Sequence, residues 1–480
     1  MPLPWIIVFL PWAGAAALAL IGRQGLAARV NIGVAALTFL LSLFLLGHPA
    51  GEQGWTRVDA LNAPFVALSA FIGLTTAVFS AGQVAAERFD LLRSRAYHAA
   101  FQVFLGAQAL ALLSDNLGVM WVAIEIATLA SVLMVAVHGT PAAIEAAWKF
   151  FILCGTGIAL ALFGTIVLYL AAQPVAGHGD FGLSWAGLRA VAARCDPGML
   201  NLAFVFLLVG YGTKAGLVPL HSWLPDAEAE GPIAISAVLS GLLLNAALMA
   251  ILRTEAIVDA HPATIPTNAF LLAFGLASVL LAALALWRRR DARRFFAWSS
   301  IEHMGLAAFA FGLGGAAASL AGLLHMAGHS VVKSAIFFGI GHAARIKGSQ
   351  KMADIGGLAA THPALGWGLA VAIAAVAGLP PFALFASEFL LLSETAARAW
   401  WLVLPLGLGV FVAAAAKIAA LQGLCLGDPT PEAGGIPPDP RAGLLAVAPL
   451  WLHLALALGL GLLMPASLAA MLAEAARMLE

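Results

Sequence analysis

Several charged side chains interrupt long apolar stretches of this sequence, where a charge is costly. A charged group at bilayer depth costs about 2.5–3.5 kcal/mol on insertion scales and is usually retained for a function. Because burial penalises the charged form of both lysine and glutamate, such groups are able to exchange protons near neutral pH. The position of these charged residues inside apolar stretches predicts proton or sodium translocation through buried side chains. The residues are Glu125, Lys149, Lys214, Lys333, Glu388 and Lys417.

Glu125 and Lys214 form a candidate switch pair. Opposing charge would hold the lysine protonated, and separation of the two groups would release its proton. The alternative is a purely structural pair that locks two helices together. Two of the other lysines have their own structural alternatives. Lys149 follows Glu145 by four residues, a common helix-surface pair, and Lys417 could extend its amine to the membrane surface.

A stripe of histidines adds groups that titrate near neutrality. His325, His329 and Lys333 recur every four residues on one helical face, and His303 lies in the preceding apolar stretch. Imidazoles in such a stripe can pass protons through intervening water. Packing is one alternative. Haem or metal ligation is another, but haem needs opposed histidines on different helices and a metal needs a third ligand. We favour proton relay.

The composition places these residues in a membrane protein. Of 480 residues, 62% are hydrophobic and 10% are charged, with a mean hydropathy of +0.97, whereas soluble proteins carry about 25% charged residues. The net charge of zero gives no indication of a nucleic-acid partner. The three cysteines lack iron–sulfur or zinc spacing. We therefore expect no cofactor, metal or redox centre in this chain.

Hydropathy predicts an all-α polytopic fold of about fourteen transmembrane helices. The first is expected to be a helix rather than a cleaved signal, since no basic segment precedes it. The predicted spans are 4–22, 30–47, 63–82, 97–115, 117–137, 143–172, 199–220, 232–252, 267–287, 294–314, 317–344, 364–391, 400–424 and 443–465.

Loop charge predicts the orientation in the membrane. Fourteen arginines and lysines follow odd-numbered spans and six follow even-numbered ones. The positive-inside rule makes the odd loops cytoplasmic. We therefore expect a multi-pass protein of a prokaryotic inner membrane with both termini on the periplasmic side.

Two spans contain sequences that break helices. Span 7 runs through Lys214 to Pro219 with His221 just beyond, and span 12 contains Gly378, Pro380 and Pro381. Paired interruptions five spans apart predict two inverted five-helix repeats with the ion site at the breaks. The predicted units are N-terminal helices 1–3 (1–96), a first repeat (97–253), a second repeat (254–425) and helix 14 (426–480).

Several motifs of the sequence form a recognisable set. They are Trp121-Val-Ala-Ile-Glu125, Gly212-Thr-Lys-Ala-Gly-Leu-Val-Pro219, Ser300-Ile-Glu-His-Met-Gly305, His325-Met-Ala-Gly-His-Ser-Val-Val-Lys333 and Ser387-Glu-Phe389. Together they resemble the antiporter-like, proton-conducting membrane subunits of respiratory complex I, multisubunit cation/proton antiporters and group 4 membrane-bound hydrogenases. The resemblance covers roughly residues 60–425 and is nearest to the F branch of the hydrogenase-4 membrane proteins, on Ala146–Lys149 and Ser300–Gly305.

The resemblance implies roles for individual residues. Glu125 and Lys214 match the family's pair in the first half-channel, Lys333 and its neighbouring histidines match the central relay, and Glu388 matches the acid that leads to the exit. It also implies other membrane subunits and a peripheral redox module as partners, in a hydrogenase or NADH dehydrogenase-like oxidoreductase complex embedded in the lipid bilayer.

Two positions depart from the family pattern. Asn245 stands in span 8 where many relatives have lysine or histidine, and an amide cannot carry a mobile proton at ordinary pH. Glu228 stands where the nearest branch would have histidine. A role for Glu302 stays open, as does the choice between proton and sodium.

Other function classes stay open as well. The chain could belong to a multisubunit cation/proton antiporter or a non-redox ion-coupled complex. A stand-alone transporter of organic solutes would concentrate its polar groups in one compact pocket, whereas here they spread over spans 5 to 13. A quinone or haem oxidoreductase would need cofactor ligands that the spacing does not supply.

Overall fold

The computed structural model has the predicted all-α architecture and describes residues 2–47, 51–87, 89–177, 179–432 and 440–479. A small antiparallel hairpin of β1 (Gly51–Gln53) and β2 (Thr56–Val58) pairs Gly51 with Val58. The helices up to residue 258 are α1 (Leu3–Leu20), α2 (Gln24–Leu43), α3 (Ala63–Glu87), α4 (Leu91–Leu113), α5 (Leu117–Val135), α6 (Pro141–Ala176), α7 (Trp185–Val191), α8 (Pro197–Ala215), α9 (Leu224–Glu230), α10 (Ile233–Val238) and α11 (Leu244–Val258).

The later helices contain most of the buried histidines and lysines. A π-helical segment at Leu239–Leu243 joins α10 to α11, and another at Gln422–Leu426 follows α18. The helices are α12 (Thr267–Leu286), α13 (Ala292–Leu313), α14 (Ala316–Lys347), α15 (Leu358–Thr361), α16 (Pro363–Val376), α17 (Ala383–Arg398), α18 (Val403–Leu421), α19 (Pro440–Leu462) and α20 (Ala466–Met478).

The number of membrane spans is slightly lower than predicted. Among the described residues, eleven helices are long and apolar enough to cross a membrane, or thirteen if two bent helix pairs each count as one span. The predicted span that is missing from this count is 294–314, which corresponds to α13 and packs between α12 and α14. This helix is not among the candidate spans; it contains Glu302, His303 and two serines in its apolar part, although it lies among the others.

Side-chain caps fix where several helices begin. Each of these caps accepts a hydrogen bond from the backbone N–H three residues later, which satisfies one of the free donors at a helix start. The capping residues are Asp90, Asn116, Thr140, Asp196 and Asp291. The starts of these helices are therefore encoded locally.

The centre of the fold is the continuous helical segment from α10 through α11. The 18 most apolar consecutive residues of this segment are all buried. It packs against α3, α8 and α14. Close helix contacts elsewhere depend on glycine. A Cβ at Gly210 of α8 would meet the carbonyl oxygen of Gly157 in α6, and one at Gly275 of α12 would meet the backbone of Phe309 in α13. Small residues permit such close packing in membranes.

Both predicted helix breaks are present. Helix α8 ends at Ala215, Gly216 adopts a φ of +72°, and α9 begins only at Leu224. Helix α16 ends at Val376, and α17 begins at Ala383. The predicted unit boundaries after 96 and 253 fall within α4 and α11. The inverted repeats themselves stay a prediction.

Candidate functional site

A buried ion pair lies at the centre of the second half of the chain. Lys417 Nζ of α18 is 2.6 Å from Glu302 Oε2 of α13, and both side chains are almost completely buried. The alternative in which Lys417 extends to the membrane surface is therefore wrong. Glu302, whose role the sequence left open, is its partner. Leaving either charge alone in the interior would be strongly unfavourable.

A chain of hydrogen bonds leads away from this pair. Lys417 Nζ lies 3.1 Å from His303 Nε2, His303 Nδ1 lies 2.9 Å from His325 Nε2, and His325 Nδ1 lies 2.9 Å from Ser387 Oγ. A protonated lysine that donates to His303 leaves each later imidazole one nitrogen to accept and one to donate. A single arrangement of protons therefore satisfies all three contacts.

The break after α16 contributes a carbonyl group to this chain. Val376 is the last residue of α16, so its carbonyl lies beyond the regular helical ladder. Its oxygen is 3.0 Å from Lys417 Nζ and 3.1 Å from His303 Nε2. The proton therefore has the same acceptor whether the lysine or the imidazole carries it.

The same break accommodates Glu388. Gly378 has a φ of +73°, and a Cβ at this glycine would overlap Oε2 of Glu388. Glu388 is buried, and Lys417 and Glu302 are its electrostatic partners. The glycine in the break is thus what leaves room for the carboxylate.

His329 and Lys333 continue the stripe on α14. The rings of His329 and His303 are 5.5 Å apart, and neither nitrogen of His329 has a hydrogen-bond partner among the described residues. Lys333 Nζ donates to the carbonyl of Phe296 and lies 5.3 Å from the ring centre of Phe337. The predicted His–His–Lys face is therefore buried in the fold, next to the chain that begins at Lys417.

The first-half pair is electrostatically coupled but not in contact. No ion pair within 4.0 Å joins Glu125 and Lys214 in the described part of the chain. Lys214 Nζ is fully buried 4.9 Å from the ring centre of Phe150, and its electrostatic partners are Cys154 and Glu125. Glu125 is partly exposed. The two groups therefore act on each other electrostatically without direct contact.

Lys149 does not form the pair with Glu145 that was the structural alternative for it. Its Nζ lies 2.6 Å from Asp226 Oδ2 of α9, not beside Glu145 on its own helix. Arg294 also contacts Asp226 at 3.3 Å and Glu230 at 3.0 Å. The cause is the break after α8, which turns α9 back against α6.

His221 lies in the same break. Its ring packs edge-on against Trp298 with ring centres 5.0 Å apart, and its Nδ1 has no hydrogen-bond partner among the described residues. It is buried but is not joined by a hydrogen bond to the histidines of α13 and α14 in the part of the chain that the structure describes.

Amide and hydroxyl side chains form hydrogen bonds where the two halves of the chain meet. Asn245 Nδ2 lies 2.6 Å from Ser330 Oγ, and Ser240 Oγ lies 2.8 Å from Ser300 Oγ. Gln108 donates to the carbonyl of Leu242 in the π-helical segment, at 2.5 Å. Such segments release backbone groups for other partners and are frequent at functional sites.

Three buried groups of the site have the composition of a metal site. One ligand atom each of His303, His325 and Glu388 lie within 4.8 Å of one another. The third ligand that the sequence lacks nearby is thus supplied by α17. However, Lys417 brings a positive charge to His303, and both imidazoles use their nitrogens in the hydrogen-bonded chain. In this structure both imidazoles are therefore engaged in hydrogen bonds at both ring nitrogens.

A separate polar cavity of about 310 Å³ lies at the end of α11. Its lining includes Glu255, Asp259, Asn268 and Ser319. Thr267 Oγ1 is 2.5 Å from Asp259 and 3.3 Å from Glu255. Burial raises the pKa of Asp259, which lies beyond the end of the helix, while the hydroxyl of Thr267 lowers it. Two carboxyl groups therefore share one hydroxyl at this end of the fold.

Comparison with known families matches residues 114–413 to the family described as NADH:quinone oxidoreductase/Mrp antiporter, transmembrane. A hydrogenase-4 component F homolog from Methylacidiphilum infernorum is 48% identical over 434 residues, which cover 90% of this chain and 91% of the relative. A subunit of a Na⁺/H⁺ antiporter from Alkalihalophilus pseudofirmus is 26% identical over 80% of this chain and 79% of its own length.

The fold also matches a solved structure. A chain of the membrane-bound sulfane sulfur reductase, an archaeal respiratory membrane complex, superposes with a TM-score of 0.89 at 22% identity. The match covers 99% of this chain and 97% of the other. At this identity the likeness concerns the fold.

Proposed function

The chain belongs to the NADH:quinone oxidoreductase/Mrp antiporter transmembrane family, and we propose that it carries protons across the membrane as one subunit of a larger complex. The observation that supports this most is the buried chain from Glu302 through Lys417, His303 and His325 to Ser387. Each contact in it joins groups that can donate or accept a proton.

In the proposed mechanism, the proton moves along the hydrogen-bonded chain from one side chain to the next. While Glu302 is ionised, its carboxylate lies 2.6 Å from Lys417 Nζ and balances the charge of the ammonium group. Loss of that charge, or the approach of another positive group, favours transfer to His303, where the Val376 carbonyl receives the imidazole N–H. The proton on the far nitrogen then moves to His325. Glu388 lies close enough electrostatically to respond to each change.

Lys333 and the first half extend the same logic. Lys333 is electrostatically coupled to both Glu302 and Lys417, so its protonation depends on theirs. In the first half, Lys214 and Glu125 act as the loading pair, which holds a proton on the lysine when the two approach. Lys149 anchors α9 through Asp226, and His221 borders the break.

The proposed ion is the proton rather than sodium. The continuous part of the chain consists of amine and imidazole nitrogens with one hydroxyl. Hard cations prefer shells of several oxygen ligands, whereas an imidazole can accept a proton on one nitrogen and release one from the other.

The proposed setting is a redox-driven complex in a prokaryotic inner membrane, with both termini on the periplasmic side. The basis is the relative named as a hydrogenase-4 component F homolog and the distribution of basic residues among the loops. Other membrane subunits and a peripheral redox module would be the partners. This chain would contribute ion transfer and no redox centre of its own.

The test is reconstitution of the intact complex, purified through a tag on this chain, into vesicles that contain a pH-sensitive dye. With the electron donor and acceptor of the co-purifying proteins, we expect a lumenal pH change that persists when potassium replaces sodium. A flux that requires sodium, or redox turnover without any pH change, would contradict proton translocation.

A second function is a role in a cation/proton antiporter complex, which the similarity to the Na⁺/H⁺ antiporter protein of Alkalihalophilus pseudofirmus favours. It predicts co-purification without redox proteins. A sodium gradient imposed on the same vesicles would then drive a pH change without any electron donor.

A further inference from the structure

Helix α9 carries three carboxylates at alternate positions, and they have different surroundings. Asp226 pairs with Lys149 and Arg294, and Glu230 pairs with Arg294. These two outer carboxylates are partly exposed, and their cations balance them. Glu228 between them is fully buried at 0% exposure.

Neither carboxylate oxygen of Glu228 has a hydrogen-bond partner within normal distance among the described residues. A buried carboxylate normally has several hydrogen bonds, because its desolvation is otherwise uncompensated. This side chain therefore has free acceptor capacity in the interior, the condition that a group needs if it is to receive a proton.

No cationic nitrogen lies within 4.0 Å of the Glu228 carboxylate among the described residues, but two cations and a hydroxyl act on it electrostatically. Lys333 of α14 and Arg293 of α13 are its charged partners, and Ser300 of α13 is the nearby hydroxyl. Of these, Arg293 is held by the Gly231 carbonyl and by Ser236 Oγ at 2.7 Å. An arginine does not release its proton in proteins, so Arg293 supplies a fixed charge and Lys333 is the partner able to exchange.

The other polar groups at this boundary do not have this capacity. Asn245 is bonded to Ser330 and cannot titrate, and Ser240 and Ser300 form a hydroxyl pair. Helix α9 itself packs on both α6 and α13. Glu228 is thus a titratable side chain beside this group of amides and hydroxyls.

We propose that Glu228 is a protonatable member of the translocation chain, exchanging a proton with Lys333 at the boundary between the two halves. This proposal rests on the proposed function, since it assigns one more residue to the same route.

The decisive variant is Glu228→Gln in the intact complex, which keeps the shape and removes titration. We expect proton translocation to fall by about a hundredfold, within the range over which positioned proton-transfer groups contribute. Glu230→Gln on the same short helix is the matched control and should leave translocation close to wild type. Glu228→His should restore part of the activity, with a shifted pH profile.

Each outcome separates the two proposals. Normal translocation by Glu228→Gln while Lys333→Ala loses it would overturn the role of Glu228 and leave the proposed function standing. Normal translocation by both variants would remove Lys333 as well as Glu228 from the route, whereas an absence of proton translocation by the wild-type complex would overturn the proposed function itself. If Glu228→Gln fails to assemble, Glu228→His decides, because a pH profile identical to wild type would show a merely structural carboxylate.

Discussion

Lys417 Nζ lies 2.6 Å from Glu302 Oε2, although the two residues are 115 positions apart in the sequence. Both side chains are almost completely buried. The pair is the point at which α13, α18 and the break after α16 meet, since Lys417 also donates to the Val376 carbonyl. Its charges stabilise one another, and the protonated form of the lysine is the one that donates to His303.

Removing one member of this pair should be more harmful to stability than removing both. Lys417→Met or Glu302→Gln alone leaves an uncompensated buried charge, which costs about 3–5 kcal/mol. The double variant should recover most of that loss, because neither charge remains. Thermal unfolding in detergent, followed by tryptophan fluorescence, measures this difference.

Proton translocation should respond differently from stability in the same variants. All three should lose it, including the stable double variant, since the route lacks its lysine or its carboxylate. Translocation by the double variant at the wild-type rate would show that the pair is a structural lock.

The histidine chain predicts a contrast between two equally buried imidazoles. His325→Gln should reduce translocation by about a hundredfold, within the range for lost proton-transfer groups, because it removes the link between His303 and Ser387. His453 is also fully buried, but it bonds to Thr75 at 2.8 Å and to the Val331 carbonyl. His453→Gln should therefore keep translocation. Equal losses in the two variants would mean that packing, not relay, explains the first effect.

The first-half pair predicts loss of function without loss of assembly. Lys214→Ala and Glu125→Ala should each abolish most ion pumping in vesicles, because one removes the proton carrier and the other the charge that loads it. Assembly is retained because the two groups form no close ion pair in the described structure. Glu145→Ala changes an exposed carboxylate and is the control. Unchanged pumping in the first two variants would remove this pair from the route.

The sequence was sufficient for the parts of the site that follow local rules. Apolar length predicted the spans, proline and glycine predicted both breaks, and spacing of four placed His325, His329 and Lys333 on one buried face. These features depend on neighbours within a few residues, so no knowledge of the tertiary structure was needed.

The partners could not be predicted, because they depend on which faces of distant helices meet. Lys417 looked equally suited to a surface position until α18 placed it beside Glu302. Lys149 had an available partner four residues away, yet the turn after α8 brought Asp226 closer. Glu228 was visible only as an unusual residue, and its burial follows from the packing of α9 against α13.

The break in span 12 provides a test that changes no titratable group. Gly378 adopts a φ of +73°, which costs an L-residue about 1–2 kcal/mol, and a Cβ there would overlap Oε2 of Glu388. Gly378→Ala should therefore displace the carboxylate and lower translocation strongly, with a modest loss of thermal stability.

The matched control for that change is Gly407→Ala in α18, where an added Cβ meets nothing within 4 Å. It should leave translocation and stability unchanged or slightly improve stability, since alanine favours helix. Because Gly378→Ala keeps every lysine, glutamate and histidine, its loss of translocation would mean that the position of Glu388, and not only its charge, is required. Wild-type translocation by Gly378→Ala would place Glu388 outside the route.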